Sequence, residues 1–371
     1  MARVGPARQG GARADAALKV AILTPYFFPE YGGTQRVVEI LAREFSAIGH
    51  EVRILTLAPT PHDPQRARER GDIPEEISVV RNARHSDVRA AMRWADVGLI
   101  LYVTLRLGLP AILSGKPCVV AHHYWLFTDH KLTGAPVRLL RRLMLEGALS
   151  IACSQAVAKS LPVPARVAVN GYRDDLWRAP AQEGPRPIDI LFVGRLVPEK
   201  GVDVLLAAAA ELKRRGKPAR LALIGAEDEG VSLARMIEEA GLSDWATHLG
   251  PLPAAAVAQA QSEAKIVAVP SRNEPFGLAA LEGMAMGAVI VASNAGGLPE
   301  AVGEAGLLVP ARDAIAWADA FESLLSDPAR REALRAAAPA HLARFTARRM
   351  AEGYIEALRE AVARKTHAAR A

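Results

Sequence analysis

The chain holds two cysteines in 371 residues, Cys118 and Cys153, and both lie in apolar runs. They read as reduced core residues of a cytosolic protein rather than as a bridge or a metal pair. No uncharged apolar run has the length of a membrane span. The nearest stretch, Val97–Gly115, carries Arg106 near its middle and Pro110 beyond. A central arginine costs roughly 2.5–3.5 kcal/mol on insertion, so a buried strand followed by a short helix fits better. Residues 1–17 are rich in Arg, Gly and Ala but lack the apolar core of a signal peptide, and read as a flexible tail. No interleaving of basic and aromatic residues marks a nucleic-acid binder. There is no Asp-x-Asp run to hold a divalent metal, the nearest candidate being the acidic loop Glu227–Glu229. There is also no Gly-x-Gly-x-x-Gly turn to hold a dinucleotide. The formal charge of +6 is spread widely. It permits an acidic small molecule or an anionic membrane surface without selecting either. These absences leave a soluble, cytoplasmic protein, with contact at the inner face of a membrane as an open alternative.

Half of the residues are hydrophobic, enough for two packed domains. Short apolar runs alternate with longer helical patterns, the sign of an α/β fold with parallel sheets covered on both faces. Strands are expected at 18–24, 51–57, 77–81, 97–102, 118–121, 151–153 and 167–169 in the first half. In the second half they fall at 188–194, 221–224, 246–249, 266–269, 289–292 and 307–309. Each half opens alike, with an apolar strand, a glycine-bearing loop and a helix. The first domain is assigned to 18–178, a linker to 179–187 in the Pro- and Gly-rich stretch RAPAQEGPRP, and the second domain to 188–347. A last helix, about 348–364, aligns Met350, Tyr354, Leu358 and Val362 in one row, with the first domain available to receive it. Ligands of doubly wound sheets gather at the carboxyl ends of the strands. The site therefore belongs in a cleft between the two halves.

Three stretches carry chemistry. In GRLVPEKG, Arg195 and Lys200 stand in a loop between a strand and a helix. Free N–H groups and two cations there suit a diphosphate, although the stretch alone reads equally well as a surface loop. Gly32–Gly33 is a second anion-friendly turn, or simply a tight one. In SRNEPFGLAALE, Glu274 stands just outside a helix begun by Phe276, Gly277 and Leu278, and Glu282 lies within it. At about 1.5 Å of rise per residue the two acids are too far apart to work as one acid–base pair. They suit an extended ligand gripped at two places, a sugar at one end and a ribose at the other, with the diphosphate on Arg195 and Lys200.

On these stretches, together with NAGGLPE, the chain resembles the retaining glycosyltransferases of family 4, over nearly its whole length. The resemblance implies the GT-B fold, two Rossmann-like doubly wound domains with an interdomain cleft. It implies that Gly32 and Gly33 lie near the donor phosphate and that Arg195 and Lys200 hold the diphosphate. Glu274, assisted by the Pro275, Phe276, Gly277 and Leu278 turn, would bind the donor sugar, and Glu282 the ribose. His122 matches a family histidine near the reacting centre. His123 replaces the aspartate that often follows it, which leaves its role open.

The implied reaction moves a hexose-type sugar from a nucleotide-diphosphate sugar to a hydroxyl acceptor, by same-face substitution, with no cofactor and no metal. The acceptor, whether glycan, lipid-linked or small molecule, is not legible. The helical stretch PVRLLRRLMLEG places Arg138, Arg141 and Arg142 on one face and Leu139, Leu143 and Met144 elsewhere. That face could touch an anionic membrane, but a solvated basic face is the simpler expectation. The alternatives are another GT-B enzyme, such as a phosphorylase or a sugar-nucleotide epimerase, and a silent nucleotide-sugar binding protein. A nicotinamide dehydrogenase would need the glycine turn that neither half has.

Overall fold

The computed structural model describes residues 16–28, 32–60, 77–126, 135–180, 184–228 and 230–368, with backbone alone at 135–138 and 368. The tail over 1–15, the linker positions 181–183, Glu229 and the side chain of Arg138 fall outside it. Thirteen strands form two sheets, and all their pairings are parallel. The first sheet contains β1 (Lys19–Thr24), β2 (Glu51–Thr56), β3 (Ser78–Val80), β4 (Val97–Ile100), β5 (Cys118–His122), β6 (Leu149–Ala152) and β7 (Ala165–Val167). The second contains β8 (Ile188–Val193), β9 (Leu221–Ile224), β10 (Ala246–His248), β11 (Ala264–Val269), β12 (Val289–Ser293) and β13 (Gly306–Val309). Their orders are β3-β2-β1-β4-β5-β6-β7 and β10-β9-β8-β11-β12-β13. Each order reverses direction once, between β1 and β4 and between β8 and β11. Such reversals leave a crevice beyond the carboxyl ends of the two strands.

Parallel neighbours need crossovers, and crossover helices bury both faces of a sheet. The strands accordingly have no polar side. Val20 and Ile22 enter the core on one face of the first sheet, while Ala21 and Leu23 enter the core on the other. Ile190 and Phe192 likewise part from Leu191 in the second sheet. Every expected strand has a counterpart. The last one in the first sheet begins two residues earlier than its apolar run suggests. As an edge strand, β7 does not follow burial: Arg166 at its centre is exposed and pairs with Glu356 and Glu360 of the last helix. Cys118 and Cys153 are free and buried, and burial pushes both thiols up to about 12. Among the described residues no helix is long and apolar enough to cross a membrane.

The helix Ala135–Glu146 departs from expectation. Among its described side chains, those of 139–146, Met144 and Leu145 alone are buried, and Leu139 and Leu143 are exposed beside Arg142. Its apolar side is wider than the strip of the first domain that covers it.

The helix Ala347–Ala368 returns to the first sheet, where Met350, Tyr354 and Leu358 join the core of β1, β4 and β5, with Val362 packed against it. Its start is fixed by the segment after β7: Asp174 accepts from the Ala347 amide at 3.0 Å, and the Tyr172 amide donates to Phe345 at 3.0 Å. Tyr354 is wholly buried, and its hydroxyl lies 2.9 Å from Nε2 of His123. His123 is thus a partner of the returning helix. Tyr354→Ala is expected to cost about 3–5 kcal/mol of stability, the range for deleting a large buried side chain. Urea unfolding checks this, and a loss below about 1 kcal/mol would mean the helix docks without it.

Candidate functional site

In the first half, the chain after β1 enters the helix Gly33–Ala47 through Gly32, whose backbone is extended and which offers no side-chain cap. A Cβ built on Gly33 would meet no protein atom within 4 Å. Gly33 is also not among the residues of positive φ. Neither packing nor conformation therefore demands glycine there, and the bare backbone faces open space at a helix N-terminus, where free N–H groups gather. Thr34 ties this turn to the loop after β4 through a 3.0 Å hydrogen bond with Tyr102, whose ring stacks on Tyr124 at 4.2 Å.

His122 ends β5 and is 1 % exposed. Nε2 lies 3.3 Å from Ser150 Oγ, and Nδ1 has no hydrogen-bond partner. Burial pushes the imidazole down to about 4, so the ring is neutral at physiological pH. It can share a hydrogen bond but cannot supply a charge. His123 is pushed down further, to about 3, by burial and by its neighbour His122.

In the second half, Arg195 follows β8 directly and is exposed. Burial pushes the Tyr102 phenol up, and the Thr34 hydrogen bond and, more weakly, the positive charge of Arg195 offset part of this. A short 3-10 turn, Pro198–Lys200, leads into the helix Val202–Arg214 and sets Lys200 beside the loop after β11. There Lys200 Nζ donates to Glu274 Oε2 at 2.6 Å, and Ser271 Oγ donates to the same oxygen at 2.9 Å. The two loops are also laced together by the Arg272 amide, which donates to Glu199 at 2.8 Å, and by the Arg272–Asp203 ion pair.

The turn from Glu274 to Gly277 is held from behind. Gly296 has φ +59, and a Cβ there would sit 2.1 Å from the Glu274 carbonyl oxygen; one on Gly297 would sit 2.3 Å from that of Pro275. Only glycines allow this approach, which lets the Gly297 amide donate to Glu274 at 2.8 Å. From the first domain, Ser154 Oγ donates to the Pro275 carbonyl at 2.7 Å, and Glu300 accepts from the Gln155 amide at 2.7 Å. Phe276 anchors the turn against Phe345. The helix Leu278–Ala285 then begins, and among the described residues the amides of Phe276, Gly277 and Leu278 donate to no protein acceptor. They are free to bind an anion or an oxygen-rich ligand.

Glu282 is 5 % exposed, one turn into this helix, and its Oε1 has no hydrogen-bond partner. Its nearest cation is Arg36, whose Nε stands 3.6 Å away, and the Arg36 guanidinium lies 4.4 Å over the ring of Trp177. Burial raises the Glu282 carboxyl, and Arg36 pulls it back. The acids of the SRNEPFGLAALE stretch thus have separate partners, Lys200 for Glu274 and Arg36 for Glu282.

Gly32 and Gly33 follow β1, Arg195 and Lys200 follow β8, and the Glu274 turn follows β11, all strands at the reversals, while His122 ends β5 one strand away. Lys200 and Glu274 are brought into contact, while Arg195 and His122 stand apart from that pair. Arg36, Trp177, Tyr102 and Ser271 were not legible. One signal existed: Arg36 is a cation near the N-terminus of its helix, the end where the helix dipole opposes positive charge.

Two family models match the chain, Glycosyltransferase Family 4 over residues 31–169 and Glycosyl transferases group 1 over residues 174–341. A D-inositol 3-phosphate glycosyltransferase of Rhodococcus opacus is 42 % identical over 196 residues, which are 50 % of this chain and 44 % of that protein. The chain thus spans less than half the length of this curated relative in the match. Among solved structures, Anabaena HepE in complex with UDP and glucose superposes with a TM-score of 0.76 at 21 % identity, over 92 % of this chain and 100 % of that one. Sucrose-phosphate synthase from Thermosynechococcus elongatus gives 0.74 at 22 %, over 93 % and 99 %. The fold is GT-B, two doubly wound domains with their strand reversals facing one cleft. The chain belongs to the family-4 type of GT-B glycosyltransferases.

Proposed function

We propose that the protein is a retaining glycosyltransferase that moves a hexose-type sugar from a nucleotide-diphosphate sugar to a hydroxyl acceptor without a bound metal. The observation that carries this reading is the cluster at the second strand reversal. Lys200 and Glu274 meet at 2.6 Å beside three amides that have no protein acceptor among the described residues, and the bare backbone of Gly33 stands at the N-terminus of the first domain's helix Gly33–Ala47. A leaving diphosphate finds cations and amide donors there, and such fixed donors are often the largest contribution to catalysis. Glu274 accepts from sugar hydroxyls, Glu282 accepts from the ribose, and Arg195 and Lys200 hold the diphosphate. In the transfer, the bond from C1 of the sugar to the phosphate oxygen breaks. The acceptor oxygen bonds to C1 on the same face, and its proton passes to the departing phosphate. His122, neutral and with one ring nitrogen unpartnered, serves as a hydrogen-bonding group near the sugar.

The complex of HepE with UDP favours a uridine diphosphate donor, and the name of the Rhodococcus relative favours a small phosphorylated polyol as acceptor. The anomeric configuration of the product, read by proton NMR against that of the donor, tests retention; an inverted centre would refute it. Metal independence rests on the missing Asp-x-Asp run. Transfer is expected to continue at an undiminished rate in excess chelator. Complete loss on chelation, restored by magnesium or manganese, would show that a metal is required.

A further inference from the structure

We propose that Arg36 is the positioning residue for nucleotide binding: reaching across the cleft, it balances the charge of the buried Glu282 carboxylate and fixes its orientation toward the ribose. This rests on the ribose role of Glu282 given above. Glu282 belongs to the second domain and Arg36 to the first helix of the first domain, so the contact at 3.6 Å spans the two halves. At 5 % exposure and with Oε1 lacking a hydrogen-bond partner, the carboxylate pairs with no other cation among the described residues. A buried acid in that position tends to take up a proton. A protonated Glu282 would lose half of its capacity to accept from the two ribose hydroxyls.

The charged groups acting on Glu282 are Arg36, which favours the anion, and Glu39, which opposes it. Glu39 lies one turn further along the helix that carries Arg36, and it is occupied by Arg173, itself paired with Asp175. Arg36 also acts on Glu39, but among the described residues its ion pair is with Glu282. Its guanidinium is held by the Trp177 ring, 4.4 Å from the centroid, and the Trp177 indole N–H donates to Gln261 at 2.7 Å. A cation near a helix N-terminus works against the dipole of its own helix, which marks Arg36 as placed for a partner beyond that helix.

The test is calorimetric titration of the full chain with UDP and, separately, GDP, between pH 5.5 and 8.5. Arg36→Gln is expected to bind the accepted nucleotide about tenfold or more weakly at neutral pH, a factor of ten being 1.4 kcal/mol. The sign of the pH effect follows from burial. Without Arg36 the Glu282 carboxyl rises further, so binding weakens as pH falls, and recovers as pH rises, more steeply in the variant than in the wild type. Arg36→Lys should restore most of the affinity, and thermal melts establish that each variant is folded. Glu282→Gln should bind weakly at every pH, and adding Arg36→Gln to it should change nothing further. Wild-type affinity in Arg36→Gln overturns the positioning role. So does a loss that is independent of pH and adds fully to that of Glu282→Gln, since Arg36 would then act on the nucleotide by itself. If Glu282→Gln binds like the wild type, the ribose reading fails instead, and the two failures are distinguishable.

Discussion

Lys200→Ala is expected to lower turnover on the order of 10²–10³-fold while the chain remains folded. Two losses combine in this variant. The departing diphosphate loses a cation, and Glu274, with its side chain 13 % exposed, loses its only ion pair and keeps Ser271 alone. Arg195→Ala removes a donor that is exposed and forms no ion pair among the described residues, so its effect falls on the reaction without disturbing a neighbour. Steady-state kinetics at saturating donor, with circular dichroism to verify folding, decide the matter. Near-normal rates in both variants would remove the diphosphate assignment.

Glu274→Ala and Glu282→Ala are expected to fail in different ways. Glu282→Ala deletes a ribose contact made equally before and during bond breaking. It should weaken binding of the bare nucleoside diphosphate, with turnover at saturation less affected. Glu274→Ala deletes a contact to the sugar whose bond to phosphate is breaking. It should lower turnover and blur the choice of donor sugar. Affinity for the bare nucleotide should persist, because Lys200 is then released from its 2.6 Å pair and remains free to meet the diphosphate. Titration of both variants with nucleotide alone reads the difference. Loss of bare-nucleotide binding in Glu274→Ala with retention in Glu282→Ala would reverse the polarity assigned to the two acids.

Continuous apolar runs made the sheets legible because they are short, rich in Val and Ile, and bounded by loops carrying Gly or Pro, the marks that separate a strand buried on both faces from a buried helix. The edge strand β7 was misplaced by two residues where Arg166 interrupts the pattern. Lys200, Glu274 and Glu282 were visible as candidates because each stands at a local signal, Lys200 just before the helix Val202–Arg214 and the two acids around the start of the helix Leu278–Ala285. Arg36 and Trp177 were not, since their meaning comes from Glu282 in the opposite domain. His123 was equally opaque: its partner Tyr354 is 231 positions away. NAGGLPE entered only as a motif of the resemblance, which did not reveal that its glycines brace the Glu274 loop. Contacts between distant segments are set by docking of whole elements, which local periodicity does not encode.

The central claim is that the cleft breaks the bond between a sugar and a nucleoside diphosphate. Its most direct test is nucleotide release from a panel of UDP-, GDP- and ADP-sugars, followed by chromatography with D-inositol 3-phosphate and with water as acceptors. One class of donor is expected to release its nucleoside diphosphate, and Lys200→Ala to slow that release on the order of 10²–10³-fold. Binding of a nucleotide-sugar with no release from any donor would contradict it, and would show a binding protein in place of a transferase.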